Sequence, residues 1–138
     1  MATLAQLREG LATNLDTLDG VQVSAYMLGS PTPPAIHVIP SEISYDLAMQ
    51  RGLDTWTFTV QAFVGTGLDK AAQIRLDKML APSGVDSVKA AIEADRTLGG
   101  VASDLHVTEV SGYIIVTRPA DGSQFFSADW TVVVVTQP

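Results

Sequence analysis

The stretch Thr55–Val64 reads TWTFTVQAFV, and its alternation decides the fold. Trp56, Phe58, Val60, Ala62 and Val64 share one side, with Thr55, Thr57, Thr59 and Gln61 on the other. A period of two is that of a strand with one face buried, because successive side chains point to opposite faces. After Gly65-Thr66-Gly67 the period becomes helical over Leu68 to Leu80, where Asp69 near the start and Lys78 near the end suit the helix dipole. A strand therefore feeds a helix that must pack back onto it.

Working outward, Thr3 to Leu15 reads as an amphipathic helix with Leu4, Leu7, Leu11 and Leu15 along one side. Thr3, with Gln6 three residues on, forms a capping box. Val21 to Tyr26 is a first strand, the proline-rich 29–34 a stiff loop, and Ala35 to Ile39 a second strand ended by Pro40. Ser41 to Gly52 is an irregular or extended excursion. Beyond Pro82-Ser83-Gly84, Val85 to Ala94 forms a short helix with Val88, Ala91 and Ile92 inward. Val101 to Val110 and Tyr113 to Thr117 are strand candidates, continuous if Gly112 carries a bulge. Asp121-Gly122 marks a hairpin into Phe125 to Thr136. That last strand is apolar on both faces near its end, so it is central or covered by a partner. The fold class expected is α+β: one domain over residues 1–138, with about three helices on a mixed, mostly antiparallel sheet.

Composition narrows the chemistry. The chain has 138 residues, 46% of them hydrophobic, enough for a single core. It has no cysteine, which excludes thiolate metal sites and cysteine nucleophiles. A net charge of −7, with three lysines and five arginines scattered, argues against nucleic-acid binding over a broad surface. No signal peptide or membrane-length apolar run is evident, so a soluble intracellular product is expected.

Catalytic patterns are missing too. His37 and His106 each sit within a strand without a partner at ligand spacing, and read as ordinary strand residues. There is no Gly-x-Ser-x-Gly elbow. Gly65-Thr66-Gly67 lacks the remainder of a phosphate loop and reads as a turn. The acid pairs Asp16/Asp19 and Glu93/Asp95 lie at helix ends and read as solvated charge. No catalytic residue, metal site or cofactor is expected.

Several stretches, in order, resemble the tail terminator (tail completion) proteins of long-tailed bacteriophages, including minor tail proteins of actinobacterial phages. They are LAQLREGLATNL (4–15), PTPPAIHVIP (31–40), QRGLDTWTFTVQAFV (50–64), DKAAQIRLDKML (69–80), GVDSVKAAIEADRTLGG (84–100) and DWTVVVV (129–135). The resemblance spans almost the whole chain and resides in the ordered set, since no single motif is diagnostic. It implies a virion protein, assembled in the host cytoplasm, that forms a ring of commonly six copies at the head-proximal end of the tail tube. The ring stops tube polymerisation and presents a surface to neck and head-completion proteins. DNA passes through without specific binding; no enzyme activity or membrane partner is implied.

A closed ring uses heterologous contacts, one surface of each copy meeting a different surface of the next. Candidate contact residues, to each other or to the tube, are Tyr45, Met49 and Arg51 in the excursion and Arg118, Phe125 and Phe126 by the hairpin. Aromatics and Met are common at interfaces, and two adjacent aromatics beside a turn are hard to bury within one monomer. Local packing is the competing reading for each. Asp46, Asp121 and Asp129 are candidate channel-facing acids that would repel phosphate. The alternatives are another neck, head-completion or tail-tube component, or a small-ligand-binding α/β domain, which requires a polar-lined pocket.

Overall fold

The computed structural model describes residues 3–18, 21–26, 35–44, 54–65, 69–117 and 124–136. They form one five-stranded mixed sheet with three α-helices, a single α+β domain. In chain order the elements are α1 (Leu4–Leu15), β1 (Gln22–Ser24), β2 (Ala35–Ser44), β3 (Asp54–Gly65), α2 (Asp69–Met79), α3 (Val88–Ile92), β4 (Asp104–Thr117) and β5 (Gln124–Thr136). The strands lie in the order β1-β2-β3-β5-β4. β1 runs parallel to β2, and the other pairs are antiparallel.

The β3–β5 ladder is the spine. It runs without a register shift from Asp54 opposite Thr136 to Gly65 opposite Phe125. The even-numbered side chains of both strands share one face: Trp56, Phe58, Val60, Ala62 and Val64 on β3, and Phe126, Ala128, Trp130, Val132 and Val134 on β5. Leu7, Leu11 and Leu15 of α1, Leu76 and Met79 of α2, and Val88, Ala91 and Ile92 of α3 pack with them in one core. The described helices therefore all cover the same face. Full burial of each Leu, Val or Phe contributes roughly 1.5–3 kcal/mol, so this one-sided core is the main source of stability. β5 lies between β3 and β4, as its two apolar faces anticipate.

Local sequence explains most boundaries. Thr3 and Gln6 form the expected capping box, Thr3 Oγ1 accepting from Gln6 N–H and Gln6 Oε1 from Thr3 N–H. One expectation needs correction. β2 does not end at Pro40 but continues through a bulge to Ser44. The carbonyl of Val38 points outward, accepting from Arg8 Nη2 at 3.4 Å. Pro40, two residues on, shares that outward side, so its missing N–H removes no bond to β3. On α2, Ile74 is exposed, whereas Leu76 and Met79 are buried. The two late strand candidates form one strand, β4, with register shifts between Val107 and Glu109 and between Ser111 and Ile114. Gly112, in the second shift, has φ of 67°, a left-handed conformation suited to glycine. The Asp121-Gly122 turn and the Gly65-Thr66-Gly67 turn beyond Gly65 lie outside the described residues.

One polar residue ties the helices together. Asn14, buried on α1, donates from Nδ2 to the carbonyls of Ile92 (2.9 Å) and Asp95 (3.0 Å) just beyond α3. Asn14→Leu leaves two carbonyls without their donor, at a cost of about 1–3 kcal/mol. Urea titration should show the midpoint falling with an unchanged slope. An unchanged midpoint would show that the clamp contributes nothing.

Candidate functional site

Three surfaces hold the residues with chemistry or contact potential: the sheet face away from the helices, and the sheet's two edges. On the away face a polar row crosses four strands, set by register alone. His37 of β2 pairs with Gln61 of β3, Gln61 with Asp129 of β5, and Asp129 with Ser111 of β4. His37 Nε2 lies 2.8 Å from Gln61 Oε1. With the amide carbonyl as acceptor, the ring proton sits on Nε2, and the Gln61 amide N–H donates on to the Asp129 carboxylate. The row thus has a direction, from imidazole through amide to carboxylate.

Beside it lies a small second core. Phe63 stands edge-on to both His37 (5.1 Å between ring centroids) and Phe125 (5.9 Å). These rings, Ala35 and Ser127 are all buried. Ser127 Oγ and Asp129 Oδ1 are buried with no hydrogen-bond partner. Asp129 Oδ2 lies against Gly112, where a Cβ would stand 3.1 Å from it. Burial pushes the Asp129 carboxyl above its usual range; the Gln61 hydrogen bond and the charge of His37 oppose this without cancelling it. The far part of the face, around Thr55, Thr57, Thr59, Thr131, Val133 and Val135, is half-buried and β-branched.

Most of the anticipated site residues fall elsewhere. Tyr45, Asp46, Met49, Arg51, Arg118 and Asp121 lie outside the described residues. Phe125 and Phe126 correct the expectation made of them: both are buried within one chain, at 6% and 7% exposure. Adjacent strand residues point to opposite faces, so Phe126 enters the main core while Phe125 joins Phe63 on the other side. Asp129, a candidate channel acid, is half-buried and bonded to Gln61. His37 is a buried strand residue, and no cluster of three metal-ligating side chains occurs among the described residues. Glu93 and Asp95 are structural. Glu93 accepts from Lys89 Nζ (2.7 Å) and Val107 N–H (3.0 Å), and Asp95 from Thr97 and Gly99 N–H. For Glu93, burial acts to raise the carboxyl pKa, but these hydrogen bonds outweigh it and hold it low.

Other surface features escaped sequence reasoning. Val110, Tyr113, Ile114 and Ile115 of β4 are exposed, with Ile114 at 57% and Ile115 at 54%. Tyr113 Oη donates to Asp77 of α2 at 3.0 Å, which places Ile74, one turn earlier on α2, near this edge. At the opposite edge Tyr26 is exposed, with the Arg8 guanidinium 4.5 Å over its ring. Neighbouring isoleucines in a strand carried a signal, because one of them must face away from the main core. The edge position of β4 carried none.

No protein-family model matches the chain, and no curated protein matches it in sequence. No described helix is long and apolar enough to cross a membrane.

The raised Asp129 pKa gives a prediction with a definite sign. A group whose folded pKa lies above its unfolded value contributes stability below the unfolded pKa, and loses it as pH rises through the folded pKa. Asp129→Asn should therefore be the more stable protein at neutral pH. Its advantage should shrink on acidification toward about 4, the unfolded Asp value. Thermal melts of both proteins across that range provide the comparison; a pH-independent difference would contradict the assignment.

Proposed function

We propose that this chain is a structural virion subunit. It forms a ring at the head-proximal end of a phage tail tube, stops tube growth and offers a docking surface to neck or head-completion proteins. The ordered sequence resemblance to tail terminators suggests the role. The structural observation that best supports it is the sheet face bare of described helices. The half-buried rows Thr55, Thr57, Thr59 and Thr131, Val133, Val135 form a β-branched surface of the type that packs against another protein layer. It is chemically unlike the helical face, and a heterologous contact joins two unlike surfaces. The polar row lies beside it on the same face of the sheet. A net charge of −7 suits a channel through which DNA must pass unheld.

The decisive experiment is deletion of the gene, with electron microscopy of the particles. Tails of irregular or excessive length that fail to join heads are expected, with the wild-type chain restoring both. Thr57→Lys with Thr131→Lys should fail to restore them, with circular dichroism of the purified variant checking that the fold persists. Normal tail length and head joining without the protein would refute the reading.

A further inference from the structure

Charge is divided unevenly between the sheet and its helices. The five strands contain Glu42, Asp54, Asp104, Glu109 and Asp129, and no Lys or Arg. The described residues outside the strands carry six Lys or Arg against seven Asp or Glu, which is close to balance. The negative charge of the described fold therefore resides mainly in the sheet.

Pairing register shows where those acids stand. Residues directly opposite each other in an antiparallel pair share a face of the sheet. Glu42 is opposite Thr57, Asp104 opposite Val135 and Glu109 opposite Thr131, so all three lie on the face away from the helices. They flank the β-branched block of β3 and β5 from both sides, Glu42 from β2 and the other two from β4. Asp129, two residues before Thr131 on the same strand, closes one end. Arg96 offsets Asp104, with its Nε 2.8 Å from Oδ1. Glu42 and Glu109 are exposed, and neither forms a salt bridge with a described residue. The face thus has an uncharged β-branched centre and an acidic border that carries no Lys or Arg on any strand.

We infer that this face receives a different protein, one whose contact surface is apolar at its centre and edged with Lys or Arg. The inference rests on the reading of this face as a docking surface and adds the chemistry of what docks. Burial at the centre holds the partner, while complementary charge at the rim steers its approach and rejects wrong partners. The same acids argue against other occupants. Nucleic acid and anionic membrane are repelled. A second copy also carries net charge −7, and its own acidic face would set like charges opposite one another.

The chain has no cysteine, so one introduced thiol reports its surroundings cleanly. Ser41 suits this purpose: it is exposed on β2, and its Oγ lies 2.7 Å from Thr59 Oγ1 at the border of the block. Ser41→Cys is placed in the native gene, and extracts are treated with a short reagent joining a thiol to a lysine amine. Mass spectrometry should find a link to a lysine of another protein, absent when Gln73→Cys on exposed α2 replaces it. That protein, purified, then supplies the binding measurement. Glu42→Lys with Glu109→Lys should slow association at least about tenfold at low salt, with dissociation little changed. Glu42→Gln with Glu109→Gln should slow it less, and Asp86→Asn, off the face, should leave it unchanged. Added salt should slow association of the parent and narrow its lead over the lysine variant. Circular dichroism of each variant checks that the fold persists. Three results would overturn the inference: links only to another copy of this chain, no link beyond those of Gln73→Cys, or a lysine variant that associates as fast as the parent. Links to another copy leave the terminator reading standing, since a ring accounts for them. Normal tails after deletion of the gene refute that reading whatever this face binds.

Discussion

The rest of the structure depends on the uninterrupted β3–β5 ladder and on all the described helices packing to one side of it. Twelve residue pairs in register place Trp56, Phe58 and Val60 beside Val134, Val132 and Trp130, making a broad apolar face. A strand can slip by one residue only by turning its entire apolar set outward. With Trp130, Phe58, Val60, Val132 and Val134 almost wholly buried, such a slip would remove the core. Register on the helical face then fixes what happens on the other. His37, Gln61, Asp129 and Ser111 meet in one row because the core residues beside them have no alternative alignment.

This explains how a costly polar feature persists on the away face. A half-buried carboxylate with one oxygen unpartnered would ordinarily be selected against on stability alone. Here the cost is limited, because Gln61 donates to Asp129 and accepts from His37, and glycine at position 112 lets the carboxylate sit against the β4 backbone. The bulge there has a second effect. It turns β4 so that Tyr113 reaches Asp77 on α2 while Ile114 and Ile115 remain outside. One local irregularity thus shapes both the polar row and the exposed edge.

The sequence made the elements legible where the physics is local. The Thr3–Gln6 cap, the alternation of Thr55 to Val64 and the inward Val88, Ala91 and Ile92 depend on neighbours a few residues away, and each appears as read. Pro40 misled because a proline ends a strand only when its N–H is needed, which depends on which side of β2 faces β3. Phe125 and Phe126 misled for a related reason. Burying two adjacent aromatics requires cores on both faces of the sheet, and the second core is assembled from Phe63 and His37, far away in the chain. The polar row was hidden in the same way: its members come from four strands, and only pairing register unites them.

An open edge is harder still to read, because what defines it is the absence of a neighbour. Ile114-Ile115 in isolation resembles any buried strand. The segment becomes distinctive only once β5 is known to lie on one side, Arg96 and Glu93 are seen to cap the preceding residues, and nothing described continues that protection. The Gly112 bulge within that stretch bends the strand, and a bulge is itself one way in which an edge is kept from pairing. The Arg96 and Glu93 side chains, by contrast, protect the first half of β4 through hydrogen bonds to its backbone.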